Sequence, residues 1–534
     1  MPDLLFIPVA LAYLAVLLVL FVYGLYFLYL TVTALRAKRA WPRAAPPADW
    51  PVATVQLPIY NEMYVAERVI DAAARLEYPA GRLEIQVLDD STDETAGIVS
   101  EVVERWRAAG KDIRHVRRPA RTGYKAGALA YGLEQARGSV VAILDADFVV
   151  PPDFLMRTVP VLEADPGLAF VQARWGHTNR DHSLLTSLQA LSIDGHFAIE
   201  QTARSSAGHW FNFNGTAGVW RREALVDAGG WNQDTLTEDL DLSYRAFMRG
   251  WRAAYLGDVE VPGELPVSFN AYRRQQHRWA RGSFECAIKH LPAIWRQPIT
   301  WRRKLQATLH LGGYSIHLLL LALSLLYPLV LLIAVRHPML PSLFGIIAIF
   351  NLTALVPAAL FAAAQRQLGR RWWTAIPRNL LLSVLGAGMM VNTTHAAFQA
   401  VRGRPGVFER TPKFGARRPH DDWRRLRYQL GIDGTVVVEI LLAGLNLATC
   451  LAAARTGVWA VALYTAVFAC GLLLASGMTI GQTLRGAWVR RSDSSSVPVQ
   501  HAPEDARLAS APERAMDGPS PVIGSGLADI RPRG

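Results

Sequence analysis

"VVAILDADF" (residues 140–148) runs five apolar residues into two carboxylates one residue apart. A short apolar run rich in β-branched residues reads as a buried strand, Val140–Leu144. Asp145 and Asp147 then stand at its carboxyl end. Working outward, further strands fit Val52–Leu57, Leu83–Leu88, Ile113–Val116 and Ala169–Gln172. Helices fit Glu62–Leu76, Asp93–Ala109 and Lys125–Gln135 between them. Strands alternating with helices at this spacing predict βαβ units and an α/β domain with a mainly parallel sheet. Such sheets bind ligands beyond the carboxyl ends of their strands, where strand order switches. A second acidic group, "VLDDSTD" with Asp89, Asp90 and Asp93, falls at another strand end.

The 534 residues suffice for one large α/β domain and a membrane region. Hydrophobic residues make up 51% and charged residues 19%, a balance suited to partial immersion in lipid. Net charge is +12, yet the arginines cluster beside apolar runs and no basic–aromatic modules or zinc-ligand spacings occur. An anionic bilayer surface is therefore the expected partner, and nucleic acid is not. The three cysteines, Cys286, Cys450 and Cys470, form no CxxC pair, which argues against disulfide and zinc frameworks.

Leu4–Leu35 is uncharged and exceeds the roughly 20 residues that cross a bilayer. Basic residues follow this run, so it reads as an uncleaved span (domain 1–35) with 36–300 in the cytoplasm beneath an inner (plasma) membrane. Later apolar segments are Leu305–Val335, Ser342–Ala364, Ile376–Val401 and Thr435–Met478, the last long enough for two spans. If all crossed, the basic stretch 402–428 would lie outside, against the positive-inside bias. Ile376–Val401 carries Asn392, Thr393, Thr394 and His395, and reads as an interfacial or re-entrant helix. Five spans result, four of them in region 301–490. The tail 491–534 is rich in Ser, Pro and charge and reads as disordered.

The first strand leads into "LPIYNE", not a glycine-rich fingerprint, which removes support for a dinucleotide-binding or P-loop fold. Asp145 and Asp147 offer hard oxygen ligands for Mg²⁺ or Mn²⁺. Alone, such a pair is more often a solvated turn. Haloacid-dehalogenase phosphatases also open on D-x-D, but there the paired aspartates follow the motif; here "LDDSTD" precedes it. "LTEDLDLSYR" reads as a helix capped by Thr237, with Glu238 and Asp239 favouring its dipole, or as the site of a general base. "FNFNGTAGVWR" (211–221) supplies small residues and amides that let a ligand approach the backbone.

Four motifs now stand in order: "LDDSTD", "DAD", "TED" and "QQHRW". Over residues 50–300 the chain resembles the membrane-embedded, processive family-two glycosyltransferases. "VQLPIYNE", "QVLDDSTDET", "RTGYKAGAL" and "FNGTAGVWR" are similar to plant mannan synthases and xyloglucan glucan synthases of the cellulose synthase-like group. "FERTPK" resembles the F-x-V-T-x-K gating loop of cellulose synthases, keeping Phe408, Thr411 and Lys413 but carrying Arg410 in place of Val.

The resemblance implies an α/β cytoplasmic domain that binds a nucleotide sugar, fused to an α-helical transmembrane bundle. It implies inverting transfer that extends and translocates a β-linked glycan. Asp90 with Asp89 would hold base and ribose, Lys125 the diphosphate, and Asp145 and Asp147 the nucleotide and metal. Asp239 would deprotonate the acceptor hydroxyl. Asn214, Gly215, Thr216 and Glu238 would line the acceptor side. Trp279 would stack on the terminal sugar, while Gln275 and Arg278 bond acceptor or diphosphate. Arg273, Arg274 and Arg281 are left to face lipid headgroups. UDP-glucose and GDP-mannose both remain open as donors. A non-processive glycolipid enzyme would not need the Trp279 platform or the gating-like loop. A transporter would not need the full carboxylate set.

Overall fold

The computed structural model describes residues 3–37, 41–337, 355–403 and 406–492, apart from 407–408, 419–420, 422, 424–425, 429–430 and 432–433. Phe408, the start of the expected span Ser342–Ala364 and nearly all of the tail therefore lie outside the described residues.

Among the described residues, seven strands form one sheet: β1 Ala53–Ile59, β2 Leu83–Asp89, β3 Ile113–Val116, β4 Val140–Ile143, β5 Leu168–His177, β6 Gly218–Arg221 and β7 Arg252–Gly263. Their order is β3-β2-β1-β4-β6-β5-β7. All pairings are parallel except those of β6, which runs antiparallel between β4 and β5. β1 and β4 are almost wholly buried because helices cover both faces of the sheet; β4 is apolar throughout, and β1 buries Thr54 and Gln56 among its apolar residues. Order reverses between β1 and β4, in register from Ala53 opposite Val140 to Gln56 opposite Ile143. The crevice above their carboxyl ends is the ligand position of such sheets.

β6 and β7 were not anticipated. The glycine- and asparagine-dense "FNFNGTAGVWR" reads as a ligand loop, yet its last four residues are a strand between two others. Gly218 admits this approach: a Cβ there would lie 2.6 Å from the Val171 carbonyl. β7 mixes charged and apolar residues because it borders the sheet, where burial alternates. The first helix, Ala66–Ala74, starts later than the expected Glu62, because Glu62 turns out of the helix into the crevice.

Among the described residues, four helices are long and apolar enough to cross a membrane: Ile7–Arg36, Ser315–Arg336, Thr435–Arg455 and Trp459–Arg485. A fifth crossing is possible by length and composition if Trp372–Gly388 and Met390–Val401, bent by 45°, count as one span. This bend sits inside the segment expected to be interfacial or re-entrant.

Helix Phe269–Arg296 connects the two regions, capped by Ser268, whose Oγ accepts from the Ala271 N–H at 3.1 Å. Gln275, Arg278 and Trp279, at helical spacing, turn to the crevice. The other face is polar too, which corrects the lipid-headgroup expectation for its arginines. Arg273 is buried and donates to both Glu439 carboxylate oxygens, at 3.0 and 2.6 Å. Arg274 pairs with Glu409, and Arg281 with Glu285 at 2.8 Å. Asn392 donates to the Arg273 carbonyl at 3.1 Å, and His277 contacts Gln399 at 3.1 Å. Arg273 and Arg274 thus tie the helix to its neighbours, while Arg281 pairs within the helix and also donates to Gln399 at 3.2 Å.

Candidate active site

A cleft of about 1260 Å³, open mouth included, lies at the carboxyl ends of β1, β4 and β5. Asp90, Lys125, Asp145, Asp147, Asn214, Gly215, Glu238, Asp239, Gln275, Arg278, Trp279, Thr411 and Lys413 all line it. Residues up to 323 positions apart in the chain are thus brought to one place.

Lys125 is the central cation. Its Nζ stands 2.6 Å from Asp145 Oδ1 and 3.4 Å from Glu238 Oε1, and donates to the Gly215 carbonyl at 2.9 Å. Burial alone would favour the neutral amine, but the Asp145 and Glu238 charges outweigh it and hold the ammonium above its usual range. Asp145 is itself raised, first by burial and then by the charge of Asp147, with Lys125 opposing. Asp147 is held by Lys413, whose Nζ lies 2.6 Å from Oδ2 and also donates to the Glu264 carbonyl. Glu264 in turn accepts the backbone N–H groups of Phe414 and Gly415 at 2.9 and 3.1 Å. Hence the segment after Glu409 closes over the D-A-D pair.

Asp239 opens the helix Glu238–Met248. Burial in the cleft wall and the neighbouring Glu238 push its carboxyl up to about 7, against the opposing charge of Lys125. Gly215 has φ +78°, and a Cβ there would lie 3.1 Å from Asp239 Oδ2 and 3.3 Å from Lys125 Nζ. Glycine satisfies both the left-handed backbone and the close approach. Thr237 occupies the N-cap position but makes no side-chain cap bond, contrary to expectation. Its Oγ1 lies 3.5 Å from the Cys286 sulfur instead.

Two expected site residues stay outside the cleft. Asp89 is buried beneath it: Oδ2 is 2.9 Å from His115 Nε2, and Oδ1 accepts the Ser91 N–H at 2.8 Å. Burial would raise this acid, but those hydrogen bonds hold it below its usual value. Thr216 is buried as well, and its Oγ1 accepts the Asp145 N–H at 2.8 Å, fixing the start of the D-A-D turn. Asp90 does face the cleft, gripped by Arg118 through Nε at 2.8 Å and Nη2 at 2.6 Å. Arg278 donates to the Glu409 carbonyl at 3.0 Å, and burial lowers its pKa. Asp241 points away from the cleft, near Cys286 and His290, and carries Arg245 at 2.8 Å and Lys289 at 2.7 Å. Those cations already satisfy its charge.

The reading of the sequence missed Tyr60, Glu62, Arg121, Trp175, His177 and Arg410, all of which line the cleft. Glu62 is raised to about 7 by burial, with the charges of Asp147 and Asp145 adding to it and Arg410 opposing. Arg410 Nη1 lies 3.5 Å from Glu62 Oε1. The exchange of Val for Arg in "FERTPK" thus brings a cation to a carboxylate on the far wall. Arg121 lies 3.4 Å over the Tyr60 ring. The glutamate of "LPIYNE" was the available signal, since an acid directly after a central strand falls at the switch point.

Residues 51–282 match the family model described as glycosyltransferase like family 2. This segment is a glycosyltransferase family 2 domain. The chain is 49% identical over 239 residues to glucomannan 4-beta-mannosyltransferase 2 of Arabidopsis thaliana, covering 44% of this chain and 45% of that protein. It is 49% identical over 244 residues to the probable glucomannan 4-beta-mannosyltransferase 6 of Oryza sativa subsp. japonica, covering 44% and 42%. The matched part thus spans less than half the length of these relatives. A solved mannosyltransferase from Pyrobaculum calidifontis, in complex with GDP-Man and Mn²⁺, aligns with a TM-score of 0.48 at 23% identity. That alignment covers 73% of this chain and 99% of the archaeal one. Within the family 2 domain fall all the cleft residues named above except Arg410, Thr411 and Lys413, together with Glu409, Phe414 and Gly415 behind them.

Proposed function

We propose that the chain is a membrane-embedded, inverting glycosyltransferase that transfers a hexose from a nucleotide sugar to a growing β-linked glycan. GDP-mannose is the favoured donor, because the curated relatives quoted above carry mannosyltransferase names. The observation that carries the reading is the convergence of Asp145, Asp147, Glu238 and Asp239 around Lys125, with Trp279, Gln275 and Arg278 in the same cleft.

Asp239 is the general base. A carboxyl tuned to about 7 holds and releases a proton near neutral pH, the condition under which a base works best. Gly215 leaves its Oδ2 open to an acceptor hydroxyl. Lys125 and Arg278 stabilise negative charge on the departing diphosphate, and their burial strengthens that effect. Asp90 lies on the nucleotide side. Trp279 gives the acceptor sugar a flat apolar face. Asp145 and Asp147 fit a divalent cation: both are hard oxygen donors, and each already draws an ammonium group to 2.6 Å. Bound there, Mg²⁺ or Mn²⁺ would neutralise the diphosphate. Lys413, 2.6 Å from Asp147, ties the 409–415 segment to the same carboxylate. In this reading the family 2 domain sits at a cytoplasmic membrane surface and the product leaves through the bundle, which the long apolar helices support.

The test is a panel of nucleotide sugars, with and without divalent metal, offered to the full chain purified in detergent. Expected is metal-dependent release of GDP from GDP-mannose with accumulation of an alkali-insoluble β-linked polymer. A lipid-linked monosaccharide as sole product would replace polymer synthesis by glycolipid synthesis. No turnover of any donor would overturn the reading.

A further inference from the structure

We propose that Trp175 and His177, at the end of β5, form a sugar-binding subsite in the wall of the cleft. The two residues are i and i+2 on one strand and share a face. Both line the cleft, with Phe148 and Ile193 beside them. The Trp175 ring packs against Phe148 and Phe197, at centroid separations of 5.1 and 5.3 Å, so its orientation is set by neighbours on two elements. Its indole N–H is nevertheless buried and has no hydrogen-bond partner among the described residues. Buried N–H groups are paired with few exceptions, and one bordering a cleft points to a ligand acceptor.

His177 supplies the complementary group. Its Nε2 lies 3.2 Å from Asp194 Oδ1. Asp194 is held as an anion by Arg180, by Arg370 at 2.6 Å and by Gln365 at 2.9 Å. A carboxylate only accepts, so Nε2 carries the proton and Nδ1 keeps its lone pair. Burial lowers the pKa of His177 despite Asp194, which keeps the ring neutral at neutral pH. Nδ1 makes no hydrogen bond to any described residue. The strand therefore presents one donor, one acceptor and an aromatic face. A sugar hydroxyl both donates and accepts, and a pyranose ring has apolar C–H faces, so a hexose unit matches all three. A diphosphate, lacking donors, does not match the His177 lone pair.

The subsite rests on the glycosyltransferase reading only for the choice of glycan, and direct binding tests it without turnover. The full chain in detergent is titrated calorimetrically with a β-1,4-linked mannohexaose, and separately with GDP plus Mn²⁺. His177→Ala should weaken hexaose binding about tenfold, and Trp175→Phe, which keeps a ring but loses the N–H, about fivefold. His177→Gln, which retains an acceptor, should recover most of the loss. GDP binding should stay within about twofold throughout. Hexaose affinity unchanged in both His177→Ala and Trp175→Phe overturns the subsite, as does parallel loss of GDP binding, which would assign these residues to the nucleotide. Absence of hexaose binding by the parent chain also overturns it. If His177→Ala does not fold, Trp175→Phe and His177→Gln carry the comparison. A parent chain that binds hexaose in this residue-dependent way but turns over no donor would leave the subsite standing and remove the transferase reading.

Discussion

Asp239→Asn isolates the proposed base with little change of shape. Asn keeps an oxygen to accept the Leu240 N–H, which Asp239 Oδ1 accepts at 2.8 Å. Loss of a general base costs about 10²–10⁴ in rate, or about 2.7–5.4 kcal/mol of transition-state stabilisation at about 1.36 kcal/mol per decade. With the carboxyl at about 7, the ionised fraction rises from about one-tenth at pH 6 to about nine-tenths at pH 8. Transfer by the parent chain should therefore climb roughly tenfold across that interval. Stability moves the other way. The folded carboxyl holds its proton up to about 7 whereas the ordinary value is 3.8, so the folded state binds more protons and loses stability as pH rises between them. The uncharged Asn escapes that loss, and the variant should melt no lower than the parent at pH 8. The assay pairs single-turnover transfer between pH 5.5 and 8.5 with thermal shift in the same detergent. An Asn variant within tenfold of the parent across this range would remove Asp239 from the chemistry.

Asp147→Ala should abolish metal-dependent nucleotide binding, measured by calorimetry, and EDTA should reproduce the effect in the parent; undiminished binding in excess EDTA would refute the metal role. Trp279→Ala should shorten the polymer while donor binding persists, since a stacking face is worth about 0.5–1.5 kcal/mol, and Trp279→Phe should restore part of the length. Product size per active molecule decides this against a purely structural tryptophan. Glu439→Ala leaves the buried Arg273 guanidinium uncompensated, and should destabilise the protein by about 3–5 kcal/mol. The double change Arg273→Met with Glu439→Leu should melt close to the parent, by thermal unfolding in detergent.

Local features were the legible ones. The apolar runs that end in acids became strands that bring Asp90, Asp145 and Asp147 to the crevice, with Asp89 buried beneath it, because strand polarity and burial are written within a few residues. Asp145 and Asp147 followed from that, whereas Lys125 and Asp239, both on helices, were implied by the family resemblance. The readings that failed depended on partners distant in the chain. Nothing near Arg273 announces Glu439, 166 positions on, so an arginine before apolar runs looked like a headgroup contact. Asp89 looked equivalent to Asp90 until the pairing of β2 with β3 placed His115 beside it. Trp175 and His177 were passed over because β5 was expected to stop at Gln172. The strand continues through an irregularity after Ala173, sustained by β7, an element that had no counterpart in the expected fold.

Lys413 meets Asp147 from 266 positions away, and the apolar helix Ser315–Arg336 and the bent pair Trp372–Gly388 and Met390–Val401 lie between them in the chain. A fragment ending near residue 300 would retain every residue of the family 2 match and still lack Arg410, Thr411 and Lys413. Its exit helix would also present the bare Arg273 side chain where Glu439 belongs. Detergent-free expression of the α/β portion is thus the wrong route to a crystallisable enzyme. Chimeras that graft a relative's catalytic half onto this bundle have to exchange residues 409–415 and position 439 together with it.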